Sequence, residues 1–255
     1  MTSLDNAYVL MSVDDAVATL TLNRPDKANA LSEAMMDALE ERILQAGADD
    51  GVRVVVLAAA GKIFCAGHDL AEMTTHGDKG YFVDLFARCS RLMGAIRQCP
   101  KPVIAKVQGA AVAAGCQLVA TCDLAYAADR AKFGVNGINL GLFCSTPSVA
   151  LSRAMPRKQA LDLALTGRLI SAARAAEMGL INAAVPAEAL DATVAETAAL
   201  IAEKLPSAIG LGKDLFHRQL ELDESDAYAL AGERMAENIS QAATRDLIAG
   251  FLRKH

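Results

Sequence analysis

A chain of 255 residues, 53% of them apolar, is long enough to bury one large α/β core with at most a smaller appendage. A formal net charge of −5 leaves no clustered Lys/Arg field, which excludes a nucleic-acid footprint and obliges any anionic ligand to be met by local groups. Only 4% of residues are aromatic and Trp is absent, so packing is expected to rest on Ala-rich helices and on subunit contacts.

The opening decamer MTSLDNAYVL lacks the basic segment ahead of an apolar run that marks a secretory leader. The first strand expected is AVATLTLN (16–23), rich in β-branched residues and closed by Asn23-Arg24-Pro25. Ser32 then caps a helix whose apolar positions Met35, Met36, Leu39, Ile43 and Leu44 follow helical spacing. VRVVVLAAA (52–60) reads as a buried strand, residues 81–98 as an amphipathic helix stopped by Pro100 and Pro102, and VIAKV (103–107) and LAYAA (124–128) as two further strands. Strands separated by helices imply parallel crossover units and an α/β layer architecture. After Pro147 the strand signals nearly vanish, and the remainder reads as helices, with Ser171 as an N-cap and Gly167 and Gly179 as C-caps. Six cysteines, at 65, 89, 99, 116, 122 and 144, form no C-x-x-C pair and no zinc spacing, so they read as reduced structural thiols. The uncharged run VQGAAVAAGCQLVATC (107–122) is too short to span a bilayer. These features together predict a cytoplasmic protein with no membrane, metal or nucleic-acid partner.

Two stretches carry chemistry. In GKIFCAGHDL (61–70), Gly67 permits an unusual backbone turn and close ligand approach. In GAAVAAGCQL (109–118), small residues lead directly into a helix, leaving main-chain N–H groups unpaired at its positive end. Brought together, two such loops aim a pair of donors at one oxygen, the geometry of an oxyanion hole. Within the second stretch Gln117 falls in the middle of the apolar run, where its amide must find hydrogen bonds or cost stability.

The segments NRPDKANAL (23–31), FCAGHDLAEM (64–73), KPVIAKVQGAAVAAGCQLVATCDLAYAADRAKFG (101–134) and LTGRLISAARAAEMGLINAAVP (165–186) resemble, in order, the enoyl-CoA hydratase/isomerase, or crotonase, superfamily. Together with GLFCSTPSVALSRAMPRKQAL (141–161), they most resemble its enoyl-CoA hydratase domain-containing protein 3 branch. The resemblance implies a ClpP-like spiral of ββα units over 1–195, with a C-terminal helical region over 196–255 that packs homotrimers or dimers of trimers and is not an independent domain. It implies an acyl-CoA or enoyl-CoA partner whose thioester oxygen sits between the main-chain N–H groups of His68 and Ala114, stabilising an enolate. Coenzyme A enters as part of the substrate, with no separate cofactor. Main chain around Lys27, Ala28, Cys65 and Ala66 is expected to meet CoA, and Phe251 and Lys254 to help cover it from a neighbouring subunit.

The chain departs from the hydratase pattern at both of the glutamates that position and activate water. The resemblance places Gln117 at the first and Gly137 at the second. Glutamine has no pKa suited to proton transfer, although it can hold a water, and glycine does neither. Hydration is therefore expected to be weak, and glutamate restored at both positions is expected to raise it if the pocket is otherwise intact. Ser145, eight positions beyond Gly137, falls where relatives with other chemistries carry a reacting group, and Cys144 and Thr146 flank it. Against that stands a packed Cys144 with Ser145 and Thr146 capping the next helix before Pro147. The His68 imidazole is a further candidate, while Asp69 and Glu72 read as a local cap, Asp123 as structural and His76 as a solvated loop residue. Three readings compete: a lyase or isomerase with altered acid–base groups, a non-catalytic acyl-CoA-binding protein, and another crotonase chemistry such as thioester hydrolysis.

Overall fold

The computed structural model describes residues 7–253. Strands β1 (Val9–Asp14) and β2 (Val17–Leu22) form an antiparallel hairpin closed by Asp15 and Ala16, both at positive φ as a two-residue primed turn requires. β2 then pairs in parallel with β3 (Val54–Ala59), β3 with β4 (Val103–Val107), β4 with β6 (Leu124–Ala128) and β6 with β9 (Ala183–Val185). A second, three-stranded sheet is built from β5 (Ala111–Val112), β7 (Lys132–Gly134) and β8 (Ile170–Ser171). Single bridges, Cys65 to Ala111 and Leu31 to His68, carry the second layer further along the chain. Each turn of the chain thus leaves a strand in the large sheet, a short strand or bridge in the small layer, and then a helix: this is the expected spiral of ββα units.

The helices cover both faces, as a mostly parallel sheet requires. On one side α1 (Glu33–Ala48), capped by Ser32 as expected, buries Met35, Met36, Leu39, Ile43 and Ala46. Leu44 differs from expectation: it is exposed, because its position falls on the outer face of that helix. Beside α1 lies α3 (Lys79–Gln98), which buries Leu85, Cys89, Leu92, Met93 and Ile96. On the other side α8 (Leu190–Ala202) lays Leu190, Val194 and Ala198 on Val54, Val56, Ile104 and Ala128. Shorter helices complete the spiral: α2 (Leu70–Thr74), α4 (Ala114–Thr121), α5 (Ser145–Ala154), α6 (Arg157–Thr166) and α7 (Ala172–Glu177). Ser171 caps α7, and Gly167 closes α6 in the left-handed conformation.

Three further helices, α9 (Pro206–Gln219), α10 (Glu224–Ser240) and α11 (Ala242–Leu252), contain no fully buried residue. One ionic hub ties α9 to the core. The Lys213 ammonium, 8% exposed, donates to Asp123 Oδ2 at 2.6 Å and to the carbonyls of Ile96 and Lys101 at 3.0 and 3.1 Å. Asp123 also accepts the Val103 N–H at 2.7 Å and stands 3.3 Å from His217 Nε2. Removing one member of a buried pair strands the other charge, so Asp123→Ala is expected to cost about 3–5 kcal/mol. Urea unfolding checks it, and a cost below about 1 kcal/mol, the range of exposed pairs, would refute the hub.

Candidate active site

Loop 60–69 runs out of β3, and two amides hold it. Asn29, fully buried, accepts the Arg24 N–H at 2.9 Å through its Oδ1 and donates through Nδ2 to the carbonyls of Ala60 and Ile63 at 2.9 and 2.8 Å. Gln108 Nε2 donates to the Ala59 and Gly61 carbonyls at 2.9 and 3.1 Å. The loop then joins the small layer: the Phe64 and Cys65 N–H groups donate to Ala110 O, and Val112 N–H donates to Cys65 O at 3.0 Å. These bonds place residues 65–68 against the start of α4.

Gly67 is the point of closest approach. Its φ is +92°, and a Cβ there would lie 2.9 Å from Ala113 Cβ and 3.2 Å from the Ala114 main-chain nitrogen. The Leu31 N–H donates to Gly67 O at 2.7 Å, and the Asp69 N–H donates to Leu31 O, a bridge that turns the intervening N–H of His68 away from Leu31. Ala113, held at φ 50°, ψ −121°, donates to Gly134 O and turns the chain into α4, so that Ala114 opens the helix. A first-turn N–H has no intrahelical acceptor. Neither the His68 N–H nor the Ala114 N–H has an acceptor among the described residues.

Gln117, 5% exposed, lies between α3 and α5 and lines a groove of about 1570 Å³ that Ser90, Met93 and Thr146 share with the charged Arg97, Asp123 and Lys213, and that Gly67, His68 and Ala114 do not line. Its main-chain carbonyl accepts from Thr121 Oγ1, yet its side-chain Oε1 is buried without a partner. The His68 ring meets Phe86 edge-on at 5.5 Å, and neither ring nitrogen has a hydrogen bond of good geometry, with only the Leu31 carbonyl among the described residues acting on the ring as an acceptor. Burial pushes the imidazole pKa below its usual 6.5, and the nearby Leu31 carbonyl offsets only part of that shift. At neutral pH the ring is unprotonated.

Gly137 lies in a 3-10 turn (Asn136–Leu140), and the chain folds back on it. A Cβ there would stand 2.5 Å from Leu142 O and 2.8 Å from Cys144 Sγ. A side chain at 137, where the resemblance sets the second glutamate, would meet the Leu142 carbonyl and Cys144 Sγ, so the condition of an otherwise intact pocket, on which the gain from restoring both glutamates depends, is not met at this position. Cys144 is buried and its thiol pushed up by burial, so it is not a thiolate nucleophile. Ser145 is exposed at the first position of α5. Its Oγ turns back to Phe143 O at 3.4 Å, and neither Ser145 nor Thr146 caps the helix, contrary to the capping expected of them. Asp69 caps α2 through the Ala71 and Glu72 N–H groups, and Glu72 accepts the Glu33 N–H at 3.0 Å, so both carboxylates serve local structure. His76 is exposed and stacks on Tyr81 at 3.9 Å.

Around the expected CoA contacts, Lys27 is exposed and Ala28 half-buried, with its carbonyl accepting the Ala66 N–H at 3.1 Å. The Ala66 carbonyl keeps no donor among the described residues. Cys65 differs from expectation: it is fully buried, its N–H and carbonyl are both engaged in the small layer, and its thiol is pushed up to about 12. That withdraws its main chain from ligand contact. Phe251 is exposed on α11, and Lys254 lies outside the described residues. Sequence reasoning missed Asn29 and Phe86. Asn29 had a signal, a short amide among small residues after a Pro turn, a type that tolerates left-handed backbone.

Comparison with known proteins decides the family. A sequence profile described as enoyl-CoA hydratase/isomerase matches residues 12–255. The chain belongs to that family. The crystal structure of a Mycobacterium smegmatis enoyl-CoA hydratase superposes with a TM-score of 0.95 at 50% identity, covering 97% of each chain. The human enoyl Coenzyme A hydratase domain-containing protein 3 superposes at 0.94 with 40% identity, covering 97% of this chain and 98% of that one. Its rat counterpart is 42% identical over 240 residues, 94% of this chain and 80% of the rat protein. This member of the enoyl-CoA hydratase/isomerase family thus has the crotonase fold and stands in the domain-containing protein 3 branch. The cytoplasmic expectation is corrected by the same comparison, because the rat and human relatives are named as mitochondrial proteins. No helix among the described residues is long and apolar enough to cross a membrane.

Proposed function

We propose that this chain binds an acyl-CoA or enoyl-CoA ester with the thioester oxygen between the main-chain N–H groups of His68 and Ala114, and that it processes the ester through an enolate as a lyase or isomerase of its family. The supporting observation is the pair of donors without acceptors, set side by side at Gly67. Aimed donors in a water-poor site stabilise charge that develops on the carbonyl oxygen. Coenzyme A enters as part of the substrate and no separate cofactor is needed. The main chain of Lys27, Ala28 and Ala66 meets the CoA portion, with the open Ala66 carbonyl as acceptor. Phe251 and Lys254 cover it from a neighbouring subunit, and the helices after residue 196 make the trimer contacts. Exposed apolar side chains on those helices, among them Phe216, Tyr228, Met235 and Ile239, favour such burial.

Calorimetric titration with saturated and unsaturated acyl-CoA esters, each mixture followed by mass spectrometry, tests the reading. Binding that requires the thioester carbonyl is expected, and equal affinity for a thioether analogue lacking that oxygen would refute it. Light scattering is expected to give three or six times the chain mass, and a monomer at micromolar concentration would remove the subunit part of the proposal.

A further inference from the structure

We propose that the His68 imidazole is the proton-transfer group of this site, removing a proton from the carbon next to the thioester carbonyl of a bound acyl-CoA. The inference rests on the donor-pair reading above. It starts from an anomaly of the structure: both ring nitrogens of His68 are buried and neither makes a hydrogen bond of good geometry, the Leu31 carbonyl being the one main-chain acceptor among the described residues that acts on the ring. A neutral imidazole carries one donor and one acceptor, and each left unpaired in the interior costs about 1–3 kcal/mol. A ring kept in that condition is expected to have its partner in a ligand.

Position gives the partner. The main-chain N–H that receives the thioester oxygen and the orphaned ring belong to one residue and are separated by its Cα and Cβ. A carbonyl held on the former brings its neighbouring carbon toward the latter. On α4, Gln117 stands three residues beyond the Ala114 donor, and its Oε1 is also buried and unpaired. Among the other candidates, Asp69 and Glu72 cap helix starts, the Cys144 and Cys116 thiols are pushed up by burial, Gly137 has no side chain, and the exposed Ser145 hydroxyl turns back to Phe143 O. Burial and the Leu31 carbonyl are the two influences on the His68 ring, and no carboxylate or cation from α1, α2 or α3 is among them.

The step balances without a further reactant. The bond from hydrogen to the α-carbon breaks, and its electron pair forms the carbon–carbon double bond of the enolate. The carbonyl π pair moves onto oxygen between the two N–H groups. The proton goes to the unprotonated ring nitrogen, so imidazolium and enolate arise together as a close ion pair and the buried site gains no net charge. Return of a solvent-exchanged proton from the ring to the same carbon reverses it.

The test uses the full chain with butyryl-CoA in D2O, reading deuterium at the α-carbon by mass spectrometry and binding by calorimetry. The wild-type protein is expected to exchange, with a rate that rises with pH and is half-maximal below pH 6.5, because the unprotonated ring is the active form. His68→Ala and His68→Gln keep the main-chain N–H. Each is expected to unfold cooperatively and still bind butyryl-CoA, while exchange falls by about 100-fold or more and added imidazole restores part of it in His68→Ala. Exchange that persists in both variants overturns the proposal, as does a wild-type protein that binds yet leaves the α-hydrogens in place. Release of free CoA without α-deuterium overturns it in favour of thioester hydrolysis. Failure of the wild-type protein to bind is distinct: it refutes the donor-pair reading and the imidazole role with it.

Discussion

Gly67→Ala is expected to remove acyl-CoA binding and turnover together, while leaving a folded but weakened protein. The new methyl group would sit 3.2 Å from the Ala114 nitrogen, in the space assigned by the proposal to the thioester oxygen, and 2.9 Å from Ala113 Cβ. Loss of one aimed donor costs about 10²–10³ in rate. The φ of +92° adds backbone strain of about 1–3 kcal/mol for a residue with a Cβ. A second substitution separates the two effects. Ala113 itself sits at φ 50°, ψ −121°, a conformation that suits glycine, and Ala113→Gly removes one of the two clashing methyl groups. Added to Gly67→Ala, it is expected to recover part of the melting temperature and none of the binding, since the contact with the Ala114 nitrogen remains. Undiminished acyl-CoA affinity in Gly67→Ala would refute the donor pair.

The parts of the fold that could be read from the sequence are those with their own local signal. The Ser32 cap, the α1 and α3 faces and the runs that became β2, β3, β4 and β6 were all visible as period or capping chemistry. Strands of two or three residues, such as β5, β7, β8 and β9, carry no period to detect. β1 was hidden for another reason: its turn residues are Asp15 and Ala16, without the Asn-Gly or Asp-Gly signal of a primed hairpin.

At the site, each small-residue loop was visible alone, and the resemblance put them together. The bonds that join them run between residues some 45 positions apart, from Phe64 and Cys65 to Ala110, and from Asn29 to Ile63 over a shorter span. Such pairings are tertiary and leave no periodic trace. The orphaned state of His68 was equally invisible, because it depends on what fails to approach the ring. The absence of glutamate at 117 and 137 could be read directly, but whether the space for one survives could not.

That space decides the remaining prediction. Gln117→Glu combined with Gly137→Glu is expected not to restore hydration of crotonyl-CoA, and to lower stability. At 137 the obstacle is the Leu142 carbonyl, 2.5 Å from the new Cβ, and this strand of chain is pinned by the Leu142 N–H donating to Gly137 O at 3.1 Å. Main chain yields less readily than a side-chain tip, so overpacking is expected to cost about 1–3 kcal/mol. At 117 a carboxyl would replace an amide in a site 5% exposed, where burial favours its protonated form and weakens it as a base. Water addition is therefore expected to stay about 10²–10⁴ below the rate that working acid–base catalysis supplies, in the wild type and the double variant alike. Gly137→Ala is the control that assigns the cause: it adds the same Cβ without a carboxylate. A melting temperature lowered as far by alanine as by glutamate places the obstacle in the 137–144 turn. A tenfold gain in hydration by the double variant, with no loss of melting temperature, would show that this turn opens and that the missing carboxylates alone had silenced the reaction.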